Sequence, residues 1–141
     1  MRTTKFLTTS ILLVTALVFV NACKKSNPKD EQNKAVEMMQ QKILGRWNLI
    51  KFIEETKKGN EPAEVIENKP EDIYFEFFAN GKVKTNAEGE EEFSYSVKVD
   101  NTLILNGFPQ TITALTGSTF TFGNTASEAG TIYKQTYVLT R

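Results

Sequence analysis

The sequence predicts an all-β domain, an eight-stranded antiparallel up-and-down barrel in which each strand lies beside the next. Two observations predict it: strand-forming residues recur in short runs after residue 45, and Gly, Asn or Asp residues separate them. A third is that most runs follow one another so closely that tight turns must join them. The predicted strands occupy residues 46–53, 72–78, 82–86, 92–99, 103–106, 110–115, 119–123 and 131–140.

Apolar and polar residues alternate within several of these runs. Phe93, Tyr95 and Val97 share one parity, whereas Ser94 and Ser96 take the other. Successive side chains of a strand point to opposite faces, so one face is apolar and the other meets water. This alternation is typical of antiparallel strands.

The turn at Asn80-Gly81 decides the register of one predicted hairpin. A two-residue type I′ turn would pair Phe78 with Val83, whereas a three-residue loop ending in a left-handed Gly81 would pair Phe77 with Val83. The second arrangement keeps the apolar face continuous, so we expect the three-residue loop.

Eight strands with one apolar face bury that face by closing on themselves. An open sheet would leave unpaired edges and would need a second layer, which one helix is too small to supply. We therefore expect a closed barrel, with a sandwich of two sheets as the alternative. The segments 54–71 and 123–130 would form loops at its mouth.

A short amphipathic helix is predicted ahead of the barrel, at residues 33–44. Gly45 follows it, where a helix commonly ends. Apolar residues recur at helical spacing within the segment: Val36, Met39 and Ile43. The preceding segment 23–32 has no large apolar side chain, so we predict a flexible tether there. The predicted domain, with its helix, spans residues 33–141.

Residues 1–22 are predicted to be a signal peptide. A basic head with Arg2 and Lys5 precedes an apolar stretch, and the small Ala22 stands before Cys23. This junction resembles the lipobox of bacterial lipoproteins, which implies that Cys23 is lipidated with fatty acids such as palmitate and anchors the protein to a membrane. With Lys24 next, the resemblance further implies an outer-membrane lipoprotein, at the periplasmic face or on the cell surface. The alternative is an ordinary signal peptide, which would leave a free secreted protein with one odd thiol.

The composition argues against several functional classes. The 17 Lys and Arg residues balance 17 Asp and Glu residues without a basic stripe, so no nucleic-acid partner is expected. Histidine is absent from the sequence, and Cys23 is assigned to the anchor, so common catalytic groups and metal ligands are missing. Ser94 and Ser96 have no plausible activating partner, and the acidic cluster 88–92 is expected in a solvated loop. We therefore predict no catalytic residues, no metal and no cofactor.

The two ends of the predicted barrel carry a residue pattern of their own. Gly45 and Trp47 open the first strand as Gly-x-Trp, and Arg141 closes the last. The pattern resembles that of the lipocalin superfamily, in particular the lipocalin-like domains of small bacterial lipoproteins. The resemblance implies that Arg141 packs across Trp47, which a closed barrel allows because its first and last strands are neighbours.

The predicted interior is rich in aromatic side chains. Seven of them are expected to line a ligand site: Phe75, Phe77, Phe93, Tyr95, Phe120, Phe122 and Tyr137. An eight-stranded barrel is either filled by its own side chains or has room for one small ligand. The resemblance implies a non-catalytic envelope protein that binds a small hydrophobic ligand. The alternative is a filled barrel that presents its loops to a protein partner of unknown identity.

Overall fold

The computed structural model describes residues 27–141. The predicted signal peptide, Cys23 and the rest of the segment 23–26 lie outside the described residues. The described chain forms α1 (Pro28–Ile43), β1 (Gly45–Lys58), β2 (Glu64–Asn68), β3 (Tyr74–Phe77), β4 (Lys82–Thr85), β5 (Glu91–Val97), β6 (Thr102–Leu105), β7 (Phe108–Leu115), β8 (Thr119–Glu128) and β9 (Thr131–Thr140). In this part of the chain, no helix is both long and apolar enough to cross a membrane.

Eight of the strands form a closed antiparallel barrel, as the sequence predicts. β3 to β9 pair in chain order. β1 closes the row because it pairs with β3, where Trp47 lies opposite Phe75, and with β9, where Leu49 lies opposite Leu139. Every barrel strand therefore has two neighbours, which removes the open edges of a flat sheet. The barrel prediction is confirmed, and the alternative of two stacked sheets is not what the chain forms.

The ninth strand, β2, lies outside the barrel and is absent from the sequence prediction. It pairs with Phe52–Thr56 of β1, and all five of its residues are exposed. Parts of β1, β9 and β8 continue beside β2, so four strand segments form an extension beyond the barrel. In their order across the sheet they are 64–68 of β2, 54–58 of β1, 131–135 of β9 and 124–128 of β8. The segments 54–71 and 123–130, predicted as mouth loops, are therefore largely strand. Few of their side chains are buried, so apolar alternation does not mark these strands in the sequence.

Helix α1 begins at Pro28, five residues before the predicted start, so residues 28–32 are helical and do not belong to a flexible tether. Proline is favoured at the first helical position because its fixed φ is already helical. Asp30 and Glu31 lie in the first turn, where acidic side chains meet the positive end of the helix dipole. Polar residues therefore begin this helix ahead of its apolar stripe.

The apolar stripe of α1 covers one end of the barrel, which we call the closed end. Ile43 is buried, and Val36 and Met39 pack against the core, as their helical spacing predicts. Residues 28–35 are exposed. The helix is thus held to the barrel by its second half.

Trp47 and Arg141 fix the last turn of α1 to the closed end. The Trp47 indole is fully buried, and its Nε1 donates a hydrogen bond to the Ile43 carbonyl at 2.7 Å. The Arg141 guanidinium carbon lies 4.1 Å from the Trp47 ring centroid, and Nη1 donates to the Leu44 carbonyl at 2.7 Å. Gly45 lies beside this guanidinium. The implied contact of Arg141 with Trp47 is present, and both side chains satisfy carbonyls that a helix end leaves unpaired.

The hairpin between β3 and β4 has the predicted three-residue loop. Phe77 pairs with Val83, and the Phe78 amide donates to the Lys82 carbonyl at 2.8 Å. Gly81 has a φ of +77°, a left-handed conformation that favours glycine. Continuity of the apolar face therefore predicted the register correctly.

A bulge in β1 lets two residues of opposite parity face the interior. The register with β9 shifts between Leu49 and Lys51, and Ile50 is 45% exposed at this point. As a result Leu49 is buried, and the Phe52 ring lies 4.8 Å from the inward-facing Tyr137 ring. The bulge thus extends the apolar lining of β1 toward the far end of the barrel.

Candidate functional site

Aromatic side chains fill the barrel at its closed end. Three residues predicted to line a ligand site are buried there: Phe77, Tyr95 and Phe120. The centroid of the Phe77 ring lies 5.0 Å from that of Tyr95 and 5.7 Å from that of Phe120. Phe120 also packs on Trp47 at 5.5 Å. These three side chains belong to the packed core and lie outside the lining of the cavity described next.

A cavity of about 440 Å³ lies at the opposite end of the barrel, which we call the open end. The other four predicted residues line it: Phe75, Phe93, Phe122 and Tyr137. The rest of its wall consists of Thr85, Ala87, Glu88, Glu91, Leu105, Asn106, Phe108, Gln110 and Asn124. Its volume falls in the range of roughly 300–1,000 Å³ that is typical of small-molecule sites. The barrel is therefore filled at one end and hollow at the other.

The space arises because inward positions near the open end carry smaller or polar side chains. Residues two apart on a strand share a face. Along β8 the inward side chain changes from the buried Phe122 to the half-buried Asn124, and along β7 it changes from Ile112 to Gln110. On β4 the inward residue nearest the open end is Thr85. The open end is therefore hollow because a few inward positions there carry polar side chains, whereas the inward positions nearer the closed end carry large apolar ones.

Stacked and edge-on aromatic rings form one wall of the cavity. Phe122 and Tyr137 stack with their centroids 5.1 Å apart and their planes 19° from parallel. Phe75 meets Phe122 edge-on at 6.1 Å and Tyr137 at 6.3 Å. Offset-stacked and edge-to-face pairs are the favoured aromatic geometries, so this wall is a firm apolar surface.

The hydroxyl of Tyr137 lies in a region of negative charge. Burial raises the pKa of Tyr137 above its usual value, and the carboxylates of Glu54 and Glu88 raise this pKa further. Both effects favour the protonated phenol over the phenolate. It presents an uncharged polar group at the apolar wall.

Gln110 is a buried polar residue of the cavity wall whose side-chain oxygen is unpaired. It is 8% exposed and faces Leu103 across β6 and β7. Its Oε1 is the buried side-chain oxygen or nitrogen atom within residues 27–141 that has no hydrogen-bond partner. An unpaired buried acceptor costs about 1–3 kcal/mol. The sequence prediction missed Gln110, although its parity with Ile112 marks it as an inward position.

Acidic side chains border the open end. Glu88 and Glu91 line the cavity, and of the described residues that line it none is Lys or Arg. Glu90 accepts a hydrogen bond from the Tyr74 hydroxyl at 3.2 Å. The segment 88–92 is exposed, as predicted, but Glu91 and Glu92 belong to β5, so only its first part is a loop. Two of its carboxylates nevertheless belong to the cavity, so its charge acts on whatever enters there.

The other side chains that could act as nucleophiles or metal ligands are not grouped together in the described part of the chain. Ser94 and Ser96 are exposed on the outer face of β5, in agreement with the predicted alternation. Within residues 27–141, no three Asp, Glu, Cys or His side chains are grouped closely enough to hold a metal ion. The residues brought together by the fold are therefore those of the cavity.

A second surface feature is the four-stranded extension. Large apolar side chains are exposed on it: Val65, Ile66, Ile132 and Tyr133. β2 pairs with β1 alone among the described strands, so its other edge has free backbone groups. Such an edge is a template for pairing with another chain.

The arrangement at the open end suits the binding of a small molecule. An aromatic wall offers apolar contact, while Tyr137 and Gln110 offer polar groups that would orient a ligand. Comparison of the chain with protein-family models, curated proteins and solved structures finds no match.

Proposed function

We propose that the protein is a lipid-anchored, lipocalin-like protein of the bacterial outer membrane that binds a small hydrophobic molecule without catalysis. The observation that carries the proposal is the cavity of about 440 Å³ with its aromatic wall. The stacking of Arg141 on Trp47 beside Gly45 supports the lipocalin-like assignment, because that resemblance implies this contact.

The cavity supplies its binding energy through apolar burial. Each methylene group that a ligand transfers from water to such a wall contributes about 0.8 kcal/mol before the cost of association is subtracted. The exposed ring of Phe108 stands at the rim, 68% exposed, where it offers further apolar contact to an entering molecule. A compact molecule with an apolar body therefore fits the site best.

We predict that filling the cavity strongly weakens ligand binding. Asn124→Phe places a ring in the open end, because Asn124 lines the cavity. We expect this change to weaken binding at least tenfold. Native mass spectrometry of the unacylated mature chain, residues 23–141, measures the fraction that carries an apolar molecule extracted from envelope lipids.

The matched control is Thr125→Phe, which adds the same ring at the next, exposed position of β8. Binding should be unchanged in this variant. A wild-type chain that carries no apolar molecule, or equal loss of binding in both variants, would contradict the proposed function.

A second candidate function is that of a protein-interaction module. The exposed apolar side chains and the free edge of β2 on the extension favour it. In that case the wild-type chain would be free of ligand, and a specific envelope protein would cross-link to residues 64–68. Substitution of Val65 and Ile66 by Ser would then remove the cross-link.

We predict that Cys23 carries the lipid anchor. The signal-peptide pattern of residues 1–22 supports acylation there, and stable anchoring requires more than one acyl chain. Labelling cells with radioactive palmitate should mark the wild-type protein, and Cys23→Ala should lose the label completely.

Ser26→Ala is the control for this experiment, because it changes a nearby small polar residue and leaves Cys23 intact. It should retain the full label. Labelling that persists in Cys23→Ala, or a wild-type protein without label, would show that the anchor assignment is wrong.

A further inference from the structure

We infer that the bound molecule has two parts: a compact apolar body in the cavity, and an apolar arm that leaves the cavity and lies on the inner face of the extension. This inner face is the one that continues the inward face of the barrel strands. The inference rests on the proposed function, because it adds a second contact surface for the same molecule that the cavity binds.

The strand pairing carries the inward face of the barrel past its open end. Residues two apart on a strand share a face, and so do residues that pair across an antiparallel ladder. The inward-facing Tyr137 pairs with Phe52 on one side and with Phe122 on the other. Gln135 and then Tyr133 follow on the same face of β9. The aromatic wall of the cavity therefore continues, within one sheet, into the inner face of the extension.

Two further rows of side chains cross this inner face beyond the aromatic one. The first row is polar and consists of Glu54, Gln135 and Asn124, and the second consists of Thr56, Tyr133 and Ala126. A strand rises about 3.4 Å per residue, so roughly 14 Å separate Tyr137 from Tyr133 along β9. An arm therefore crosses the polar row before it reaches the Tyr133 ring.

A surface pocket of about 320 Å³ lies on the inner face and adjoins the cavity. Asn124 lines both spaces. The other inner-face residues that line the pocket are Glu54, Thr56, Ala126, Tyr133 and Gln135, and the lining is completed by Glu55 and Lys134, which lie between them on β1 and β9. Besides burial, the Glu54 carboxylate raises the pKa of Tyr137, so its charge acts on the cavity wall. A molecule that extends out of the cavity therefore meets this pocket.

Tyr133 is the large side chain that an arm would cover. It is 44% exposed, and Ala126, its partner on β8, is exposed as well. Apolar surface that a ligand covers is removed from water, and binding is strengthened in proportion to the area. A molecule with an arm therefore gains contact with Tyr133 and Ala126 that a body confined to the cavity does not make.

Two neutral amides that share one compact body test the arm. Adamantane-1-carboxamide has no arm, whereas N-octyladamantane-1-carboxamide carries an octyl chain, and the amide group of each suits the polar row. Isothermal titration calorimetry on the unacylated mature chain, residues 23–141, measures both affinities at neutral pH. The octyl amide should bind at least fourfold more tightly, the factor that corresponds to about 0.8 kcal/mol for one buried methylene group.

Tyr133→Ser assigns this gain to the extension. The variant should bind the octyl amide no more tightly than the amide without an arm, for which its affinity should equal that of the wild type. Ile132→Ser is the matched control, because Ile132 is the neighbouring residue of β9, is 43% exposed and lies on the opposite face. Both affinities should be unchanged in the control.

Methyl NMR of the wild-type chain locates the arm without any variant. The octyl amide should shift the signal of the Ala126 methyl group, whereas the amide without an arm should leave that signal in place. The δ1 methyl signal of Ile132 should respond to neither probe, because Ile132 lies on the outer face.

The outcomes separate this inference from the proposed function. If both amides bind and the octyl chain neither raises the affinity nor shifts the Ala126 signal, the inference is overturned while the proposed function stands. Equal losses in Tyr133→Ser and Ile132→Ser overturn it as well. If neither amide binds, the inference fails alone when the wild-type chain carries an apolar molecule from envelope lipids, and together with the proposed function when it carries none.

Discussion

Trp47→Ala is expected to lower the free energy of unfolding by about 3–5 kcal/mol, the range for truncating a large buried aromatic residue. Trp47 is fully buried and packs on Phe120 at 5.5 Å. The truncation also removes the hydrogen bond from Nε1 to the Ile43 carbonyl and the surface on which Arg141 stacks. Three groups at the closed end would therefore lose their partner together.

Urea denaturation of the unacylated mature chain, followed by far-UV circular dichroism, measures this effect. Tryptophan fluorescence is unsuitable, because Trp47 is the single tryptophan of the chain and the variant lacks it. Ile50→Ala is the matched control, because Ile50 lies on the same strand but is 45% exposed at the bulge. Ile50→Ala should lower the free energy of unfolding by well under half as much as Trp47→Ala does. Equal losses in the two variants would refute the view that Trp47 organises the closed end.

Gly123→Ala is expected to destabilise the barrel by about 3 kcal/mol or more, the upper end of the overpacking range. Gly123 pairs with Thr136 on β9. A β-carbon at residue 123 would lie far inside van der Waals contact of the Gln135 carbonyl oxygen, and close to the Gln135 carbonyl carbon as well. Since both atoms belong to the backbone, the substitution forces β8 away from β9.

Gly117→Ala provides the comparison, because a β-carbon at Gly117 meets nothing within 4 Å and its φ is not left-handed. Its thermal midpoint should change little, whereas that of Gly123→Ala should fall by ten degrees or more, about what this loss of free energy implies for a domain of this size. Similar midpoints for the two variants would mean that β8 can move away from β9 at little cost.

The barrel could be predicted from the sequence because its interior imposes a period of two on the chain. Phe93, Tyr95 and Val97 alternate with exposed residues, and this alternation identifies β5 and its inward face. The same rule chose the three-residue loop that pairs Phe77 with Val83. Where one face is buried, a register slip would expose the whole apolar set, so the sequence specifies the register strongly.

The extension was not predictable by this rule. Both faces of β2 meet water, so its apolar and polar residues carry no consistent parity. The start of α1 was missed for a related reason, because residues 28–35 have no buried face. Apolar residues recur with the period of a strand or helix only where one face of that element is buried. A strand or helix segment that is exposed all round therefore shows no such period in the sequence.

The candidate site could be predicted only in part. Phe75 and Phe77 share parity on β3, yet Phe75 lines the cavity and Phe77 lies in the core. Which of two such residues reaches the hollow end depends on the tilt and stagger of the strands, which the alternation does not encode. Gln110 was missed because a polar residue at an inward position is an exception to the pattern that defines inward positions.

The placement of α1, at the end of the barrel opposite the cavity, bears on how an anchored protein would present that cavity. Pro28, the first residue of the helix, lies near Val99 and Asp100, in the turn between β5 and β6 at the closed end. Five residue steps separate Pro28 from Cys23, which span at most about 18 Å when fully extended. With the lipid proposed for Cys23, the start of α1 at the closed end would lie within this distance of the bilayer, which would favour orientations in which the cavity opens away from it. Ligand exchange would then occur with the aqueous compartment or with a protein docked there, and a molecule from the anchoring membrane would have to leave the bilayer before it could be bound.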